Sequence, residues 1–309
     1  MLNREYMLID VFTREPFGGS RLALFPEGDG LSEGLMQALA NEIGTGETAF
    51  VLPGSGGMNR AALRIFTPSG EIPFAGLSLL GATCGLDIQG RISRDESPTR
   101  FVWEVDAGTF PISLDRENGS TIYSLSHQHA EFIGQYYQRA KVARALGIAE
   151  QELTITGLPC EIVSTGLPIH IVPVGSLAAV QQIKLSRAAA MEIGLDLGFG
   201  DLFVFTCETE AEDADVHCRM FAPDLGIPED SASGSACGSL IAYLIKHRLV
   251  QSCDRVRIVC EQGMEMGRPS RLYVEADVVD GMPEQIRVGG HCVLIGSGRI
   301  SIPEDSFAG

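Results

Sequence analysis

The chain repeats itself. Arg64-Ile65-Phe66-Thr67-Pro68 is echoed 155 residues later by Arg219-Met220-Phe221-Ala222-Pro223, and Ile72-Pro73 by Ile227-Pro228 at the same offset. Thr13…Pro16 returns as Thr165…Pro168 at an offset of 152, and Gly46…Phe50-Val51 as Gly200…Phe203-Val204 at 154 and 153. Each match alone is weak. Four in the same order at nearly constant spacing indicate a duplicated unit. In each copy a loop opening on Ile-Pro runs into an apolar segment, Leu77 to Ile88 in the first and Leu240-Ile241-Ala242-Tyr243-Leu244-Ile245 in the second. A helix apolar nearly all round must be covered on every side. The repeat therefore predicts two pseudo-twofold-related domains of α+β class, each a sheet curled around a central helix. A ligand cleft is expected between them, where both helix N-termini point.

A length of 309 residues fits two domains. The formal net charge of −17 opposes nucleic acid and anionic membrane as partners, since both need a basic surface. It does not bear on a small substrate, which feels its local pocket. The first six residues carry an acid and no long apolar core, so no signal peptide is expected. No run approaches the roughly 18 apolar residues of a membrane span. The eight cysteines are scattered without a CxxC pair, as expected of reduced, buried thiols and a cytoplasmic setting.

Apolar periodicity places strands at Met7–Phe12, Arg21–Phe25, Thr48–Leu52, Ala61–Phe66, Phe101–Val105 and Thr109–Leu114. Ser32 reads as the N-cap of a helix carrying Leu35, Met36, Leu39 and Ile43 at helical spacing and ending at Gly44. His129 to Leu146 reads as a polar-faced helix, with the domain change just before it. Strands around Glu161–Val163 and Ile169–Val174, a helix at about Arg187–Ile193, and strands at Leu202–Thr206, Val216–Phe221, Arg255–Cys260, Arg271–Ala276, Gln285–Val288 and Cys292–Ile295 complete the second half.

The stretch Pro228-Glu229-Asp230-Ser231-Ala232-Ser233-Gly234-Ser235 reads as a loop entering the N-terminus of a buried helix. Free N–H groups and a positive dipole end there suit an anionic ligand. Asp230 can orient a base or hold an amine, and Ser235 can bond a carboxylate; the plainer alternative is N-capping. Glu47 lies in the Gly46-Glu47-Thr48 turn. Burial beside a cleft would tune it as a general acid/base, whereas taken alone it is better read as a solvated turn residue. His127-Gln128-His129 lacks partners at metal-ligand spacing, so no metal site is expected. Cys237 has no neighbouring histidine to activate it, and its place one turn into the helix suits packing. Gly289-Gly290 and Gly296-Ser297-Gly298 lack the strand–GxGxxG–helix context of a dinucleotide site.

Across essentially its whole length the chain resembles the PhzF-like family, the phenazine-biosynthesis isomerases and their relatives, which share the diaminopimelate-epimerase fold. The resemblance rests on Asp10-Val11-Phe12-Thr13…Pro16-Phe17, Gly46-Glu47-Thr48-Ala49-Phe50-Val51 and Arg64-Ile65-Phe66-Thr67-Pro68…Glu71-Ile72-Pro73-Phe74-Ala75-Gly76. It continues through Ser164-Thr165-Gly166-Leu167-Pro168, Pro228-Glu229-Asp230…Gly234-Ser235-Ala236, Glu261-Gln262-Gly263…Met266-Gly267-Arg268-Pro269-Ser270 and Val288-Gly289-Gly290. It implies domains at residues 1–125 and 126–292, with a C-terminal strand at about 293–309 returning to the first, and a homodimer. It also implies a small anionic carboxylate substrate and no cofactor. The family glutamate, which moves a proton between two carbons, falls on Glu47, and the substrate-contacting aspartate and serine fall on Asp230 and Ser235. Ser20, Arg21, Gly76, Leu77, Ser78, Ser233 and Gly234 match the surrounding binding positions. Related racemases use two cysteines, whose places here are Ala75 and Ser233, which argues against a two-thiol racemase.

Two departures stand out. The family usually continues Phe-Ala-Gly-His-Pro-Thr, whereas this chain reads Phe74-Ala75-Gly76-Leu77-Ser78-Leu79. The usual Gly-Asn-Pro is here Gly19-Ser20-Arg21. A polar contact is lost at Leu77 and a cation gained at Arg21, which points to a related anionic substrate in secondary metabolism rather than the phenazine precursor. The leading expectation is a cofactor-independent isomerase; the alternatives are a C–C hydrolase or lyase, and a binding protein that has lost catalysis.

Overall fold

The computed structural model describes residues 2–95, 99–117, 119–251 and 253–302. It divides into two compact units, Met1–Ser126 with Gly289–Gly309, and His127–Val288.

In the first unit, β1 (Leu2–Val11) pairs antiparallel with β2 (Ser20–Phe25). Helix α1 (Glu33–Ile43) crosses over to β3 (Glu47–Pro53), which lies parallel to β2. The expected caps of α1 are present: the Ser32 hydroxyl accepts from the Leu35 amide, and Gly44 ends the helix at φ 70°. Antiparallel to β3 runs β4 (Arg60–Thr67), flanked by the short β5 (Gly70–Ile72). Helix α2 (Gly76–Ile88) then leads to β6 (Thr99–Val105), parallel to β4, and on to the antiparallel β7 (Gly108–Glu117) and β8 (Ser120–Ser126). The chain's last strand, Cys292–Ile302, pairs with β1; residues 303–309, where the C-terminal strand was expected to continue, lie outside the described residues.

Every residue of α2 from Ser78 to Leu86 is buried, as an all-round apolar helix requires. It packs against β1, β2, β3, β7, β8 and the last strand. The approach to β1 and β2 is so close that a Cβ at Gly81 would sit 2.6 Å from Leu22 and 2.9 Å from Val11. Phe25, Phe50 and Phe66 fill the other face of the sheet, beneath α1.

The second unit repeats this pairing order strand for strand. β9 (Glu131–Tyr136) pairs antiparallel with β10 (Cys160–Ser164), which pairs antiparallel with β11 (Pro168–Pro173). Between β9 and β10 lie α3 (Arg139–Leu146) and the single-turn α4 (Gln151–Thr154). After β11 come α5 (Leu177–Gln181) and α6 (Arg187–Leu197), then β12 (Leu202–Thr206), parallel to β11. β13 (Val216–Ala222) runs antiparallel to β12 and to the short β14 (Ile227–Asp230). Helix α7 (Gly234–Lys246) precedes β15 (Arg255–Gln262), parallel to β13, followed by β16 (Ser270–Val279) and β17 (Met282–Gly290). Residues Ala236 to Ile245 of α7 are all buried. The duplication read from the repeats is therefore a duplication of topology.

The repeated Arg-x-Phe has one structural use in each copy. Arg64 pairs with Glu71 through two bonds and lies over the Phe66 ring. Arg219 does the same with Glu229 and Phe221, and adds bonds to the Val180 and Ile183 carbonyls.

The expected helix from His129 to Leu146 is not continuous. Residues Glu131–Tyr136 form a strand, and the helix covers only Arg139–Leu146. Phe132, Gly134 and Tyr136 alternate with the exposed Glu131, Ile133 and Gln135, a period of two, and Gly134 weakens any helix through it. Pairing with β10 then satisfies the backbone.

His170 sits in β11 with neither ring nitrogen hydrogen-bonded, its ring edge-on to Tyr136 at 5.3 Å. Burial holds its pKa down to about 4. The imidazole is thus neutral in the fold, while in the unfolded chain it takes up a proton as pH falls through about 6.5. Stability is expected to decline from that pH down to about 4, by about 3 kcal/mol in all. Chemical denaturation of His170→Leu at pH 7 and pH 4.5 tests this: the variant should lose less stability between the two pH values than the parent.

Candidate active site

In the first unit the candidate acid is Glu47. Thr45 fixes the turn before it: its hydroxyl donates to the Glu47 carbonyl at 2.8 Å and lies 3.1 Å from the Thr48 hydroxyl. Such a hydroxyl–backbone bond competes with regular structure and holds the chain in a turn. Glu47 then opens β3, in register with Leu22 of β2. The half-buried Glu47 carboxylate meets Ser78 of α2, whose buried hydroxyl lies 2.6 Å from Oε2. The Ser78 O–H donates, because an ionised carboxylate only accepts.

Gly76, Leu77 and Ser78 form the first turn of α2, and the N-cap residue, Ala75, offers no side-chain bond. Their amides provide positive potential of the kind that favours anions. Leu77 is half-buried and presents only carbon to its surroundings. Arg21 is drawn to the fully buried Asp10, with Nε 3.1 Å from Oδ1, and Asp10 also accepts the Phe17 amide at 2.8 Å. That cation therefore organises the Phe17–Arg21 loop. Ser20 opens β2 opposite Val11.

In the second unit the candidate acid is Asp230, the last residue of β14, in register with Met220. Its Oδ2 accepts the Ser233 hydroxyl at 2.6 Å and its Oδ1 the Ala232 amide at 3.3 Å. Burial pushes the Asp230 carboxyl above the usual aspartate range, against the opposing pull of these two bonds. Ser233 is the N-cap of α7, and its hydroxyl serves Asp230 instead of capping the helix. Gly234 and Ser235 form the first turn of α7, both half-buried. Asp230 is thus tied to Ser233, and Ser235 follows two residues later in the first turn of the helix. Cys237 is fully buried beside Cys218, a packing position.

The residue that sequence reasoning did not assign to the site is Gln262. Fully buried at the end of β15, it donates to the Asp230 carbonyl at 2.7 Å and the Ser233 hydroxyl at 3.1 Å. It also accepts the Ser233 amide at 3.2 Å. Ser270 adds a bond to the Ser231 carbonyl at 2.7 Å. Gly263, at φ 81°, packs so tightly that a Cβ would lie 2.7 Å from the same carbonyl. The available signal was two adjacent polar residues, Glu261 and Gln262, ending an otherwise alternating strand. Glu261 and Glu265 clamp His217 from its two nitrogens, at 2.8 and 3.0 Å. Burial disfavours the imidazolium, but the two carboxylates outweigh it and raise the pKa.

Each unit therefore places an acid against a serine at the start of its central helix: Glu47 with Ser78, and Asp230 with Ser233. A carboxylate held in this way can take up and return a proton, and nearby helix amides can steady a carboxylate ligand.

Residues 9–298 match the family model described as phenazine biosynthesis-like protein. A trans-2,3-dihydro-3-hydroxyanthranilate isomerase of Pseudomonas aeruginosa is 33% identical over 95% of this chain and 98% of its own length. An uncharacterized isomerase of Mesorhizobium japonicum is 32% identical over 98% of this chain and all of its own. Among solved structures, a PhzF-family phenazine biosynthesis protein of Bacillus anthracis superposes with a TM-score of 0.88 at 26% identity, covering 98% of this chain and 100% of the other. A hydroxyproline epimerase of Agrobacterium vitis shares the fold at a TM-score of 0.58 and 13% identity, over 98% of this chain and 94% of the other. With a family model spanning nearly the whole chain and relatives at this identity, the chain belongs to the phenazine biosynthesis-like, or PhzF, family and is an isomerase.

Proposed function

We propose that the protein isomerises a small cyclic carboxylate by moving one proton between two carbons, with Glu47 as the group that takes the proton and returns it. The supporting observation is the Glu47 carboxylate at the head of β3, held at 2.6 Å by the buried Ser78 hydroxyl. Glu47 removes the proton from a C–H made acidic by conjugation to the substrate's carboxylate. The electron pair passes into the conjugated system, and the same carboxyl delivers the proton to another carbon. Atoms and oxidation state are conserved, so the step calls for no redox partner. In the first unit the amides opening α2, at Gly76, Leu77 and Ser78, are proposed to receive the carboxylate, and in the second unit Asp230, Ser233, Gly234 and Ser235 are proposed as ligand contacts.

The Pseudomonas aeruginosa relative supports a cyclic dihydro-hydroxyanthranilate as the first substrate to test, and Leu77 argues for related carboxylates beside it. The test is incubation of each compound with the protein in deuterium oxide, followed by mass spectrometry and proton NMR. Isomerised product carrying deuterium at the new C–H is expected from one of them. Conversion with complete retention of the substrate's own hydrogen in every turnover would count against a carboxyl that exchanges with solvent. Absence of turnover and exchange across the set would sink the proposal.

A further inference from the structure

We propose that Ser78 is a positioning residue for Glu47, using its hydroxyl to hold the carboxylate for proton transfer. The inference rests on the reading of Glu47 as the proton-transfer group and adds a second residue to it. Ser78 is the third residue of α2, fully buried, with Oγ 2.6 Å from Glu47 Oε2. That length marks a short O–H···O⁻ bond, stronger than one between neutral groups. The donor is placed by a helix and the acceptor by the Thr45–Thr48 turn, so neither end depends on an exposed side chain.

The hydroxyl has a single proton, and it is donated to Glu47. The bond therefore favours the ionised carboxylate, the form that accepts a proton from substrate. The preceding residue, Leu77, has no hydrogen-bonding side-chain atom, so within this turn of α2 the side-chain contact to the acid comes from Ser78.

The decisive experiment needs no substrate. In protein labelled with carbon-13 at the glutamate carboxyls, the Glu47 signal is assigned by its loss in Glu47→Gln, and its position is followed against pH. Ser78→Ala removes the donor to the ionised form, so the midpoint should move to higher pH. Ser78→Thr, which keeps the hydroxyl, should restore it. Ser78→Cys nearly keeps the volume with a weaker donor and should fall between; it also serves if the alanine variant does not fold. On a turned-over substrate, Ser78→Ala should lower kcat about 10-fold with the smaller effect on KM, and its ascending pH limb should follow the NMR midpoint. An unchanged midpoint in a folded Ser78→Ala or Ser78→Cys protein overturns the proposal. A shifted midpoint in a protein whose Glu47→Gln variant still turns over substrate retires Glu47 as the base, and the positioning role with it. A shifted midpoint with no substrate found retires the substrate class while the hold on Glu47 stands.

Discussion

Glu47→Gln is expected to lower kcat for isomerisation by about 100- to 10,000-fold, the range contributed by a positioned acid or base. The amide keeps the size of the side chain and can still accept the Ser78 hydroxyl at Oε1, so the local fold should persist. It cannot take up a proton near neutral pH. The loss should therefore fall on kcat and on deuterium exchange together, with KM little changed, as for an interaction made in the transition state. Steady-state kinetics and exchange measured on the same samples test this. Exchange at the parental rate in the variant would show that another group moves the proton.

Arg219→Leu is expected to destabilise the second unit by about 3–5 kcal/mol, the cost of removing one partner of a buried ion pair. Arg219 is 6% exposed and binds Glu229 through two nitrogens at 2.8 Å each. Its third nitrogen serves the Val180 and Ile183 carbonyls. The substitution leaves a largely buried carboxylate and two carbonyls without this donor. Arg219→Lys restores the charge but not the planar fork, so recovery should be partial. Arg64 is the same residue in the other copy, also paired twice with its glutamate, but its side chain is 28% exposed. Arg64→Leu should cost about 1 kcal/mol or less, since solvent screens the pair. Urea unfolding of the two variants in parallel tests the contrast. Equal losses would show that burial does not set the value of this motif.

Most of the architecture was legible in the sequence, for identifiable reasons. The recurrence of Arg-x-Phe followed by Ile-Pro placed the two copies, and the apolar runs from Leu77 and Leu240 placed the two central helices. Ser32 and Gly44 marked the ends of α1 through local chemistry that does not need the rest of the chain. The misreading came at Glu131–Tyr136. There the polar faces of a strand and a helix look alike over six residues, and the partner that decides between them, β10, lies more than twenty residues away. Strand β8 was missed for a different reason: Tyr123 and Leu125 alternate with Ser124 and Ser126 over only a short stretch, and pairing with the neighbouring β7 supplies the stabilisation.

Within the site, Glu47 and the Asp230–Ser235 loop stood out because turn residues and acids were set against apolar surroundings. Their partners did not. Arg21 looked like a free cation, and pairing with Asp10 appears only once β1 and β2 lie side by side. Gln262 is 32 positions from Asp230 and Ser78 is 31 from Glu47, so no local pattern connects either pair.

The amino-acid order established two copies of one unit, a buried helix in each, and the acids at their loops, because repeats, periodicity and turn chemistry act over a few residues at a time. Which hydroxyl or amide meets each acid was settled by folding. A hydrogen bond is made by atoms within about 3 Å, and distant parts of the chain reach that separation only when helix and strands have packed.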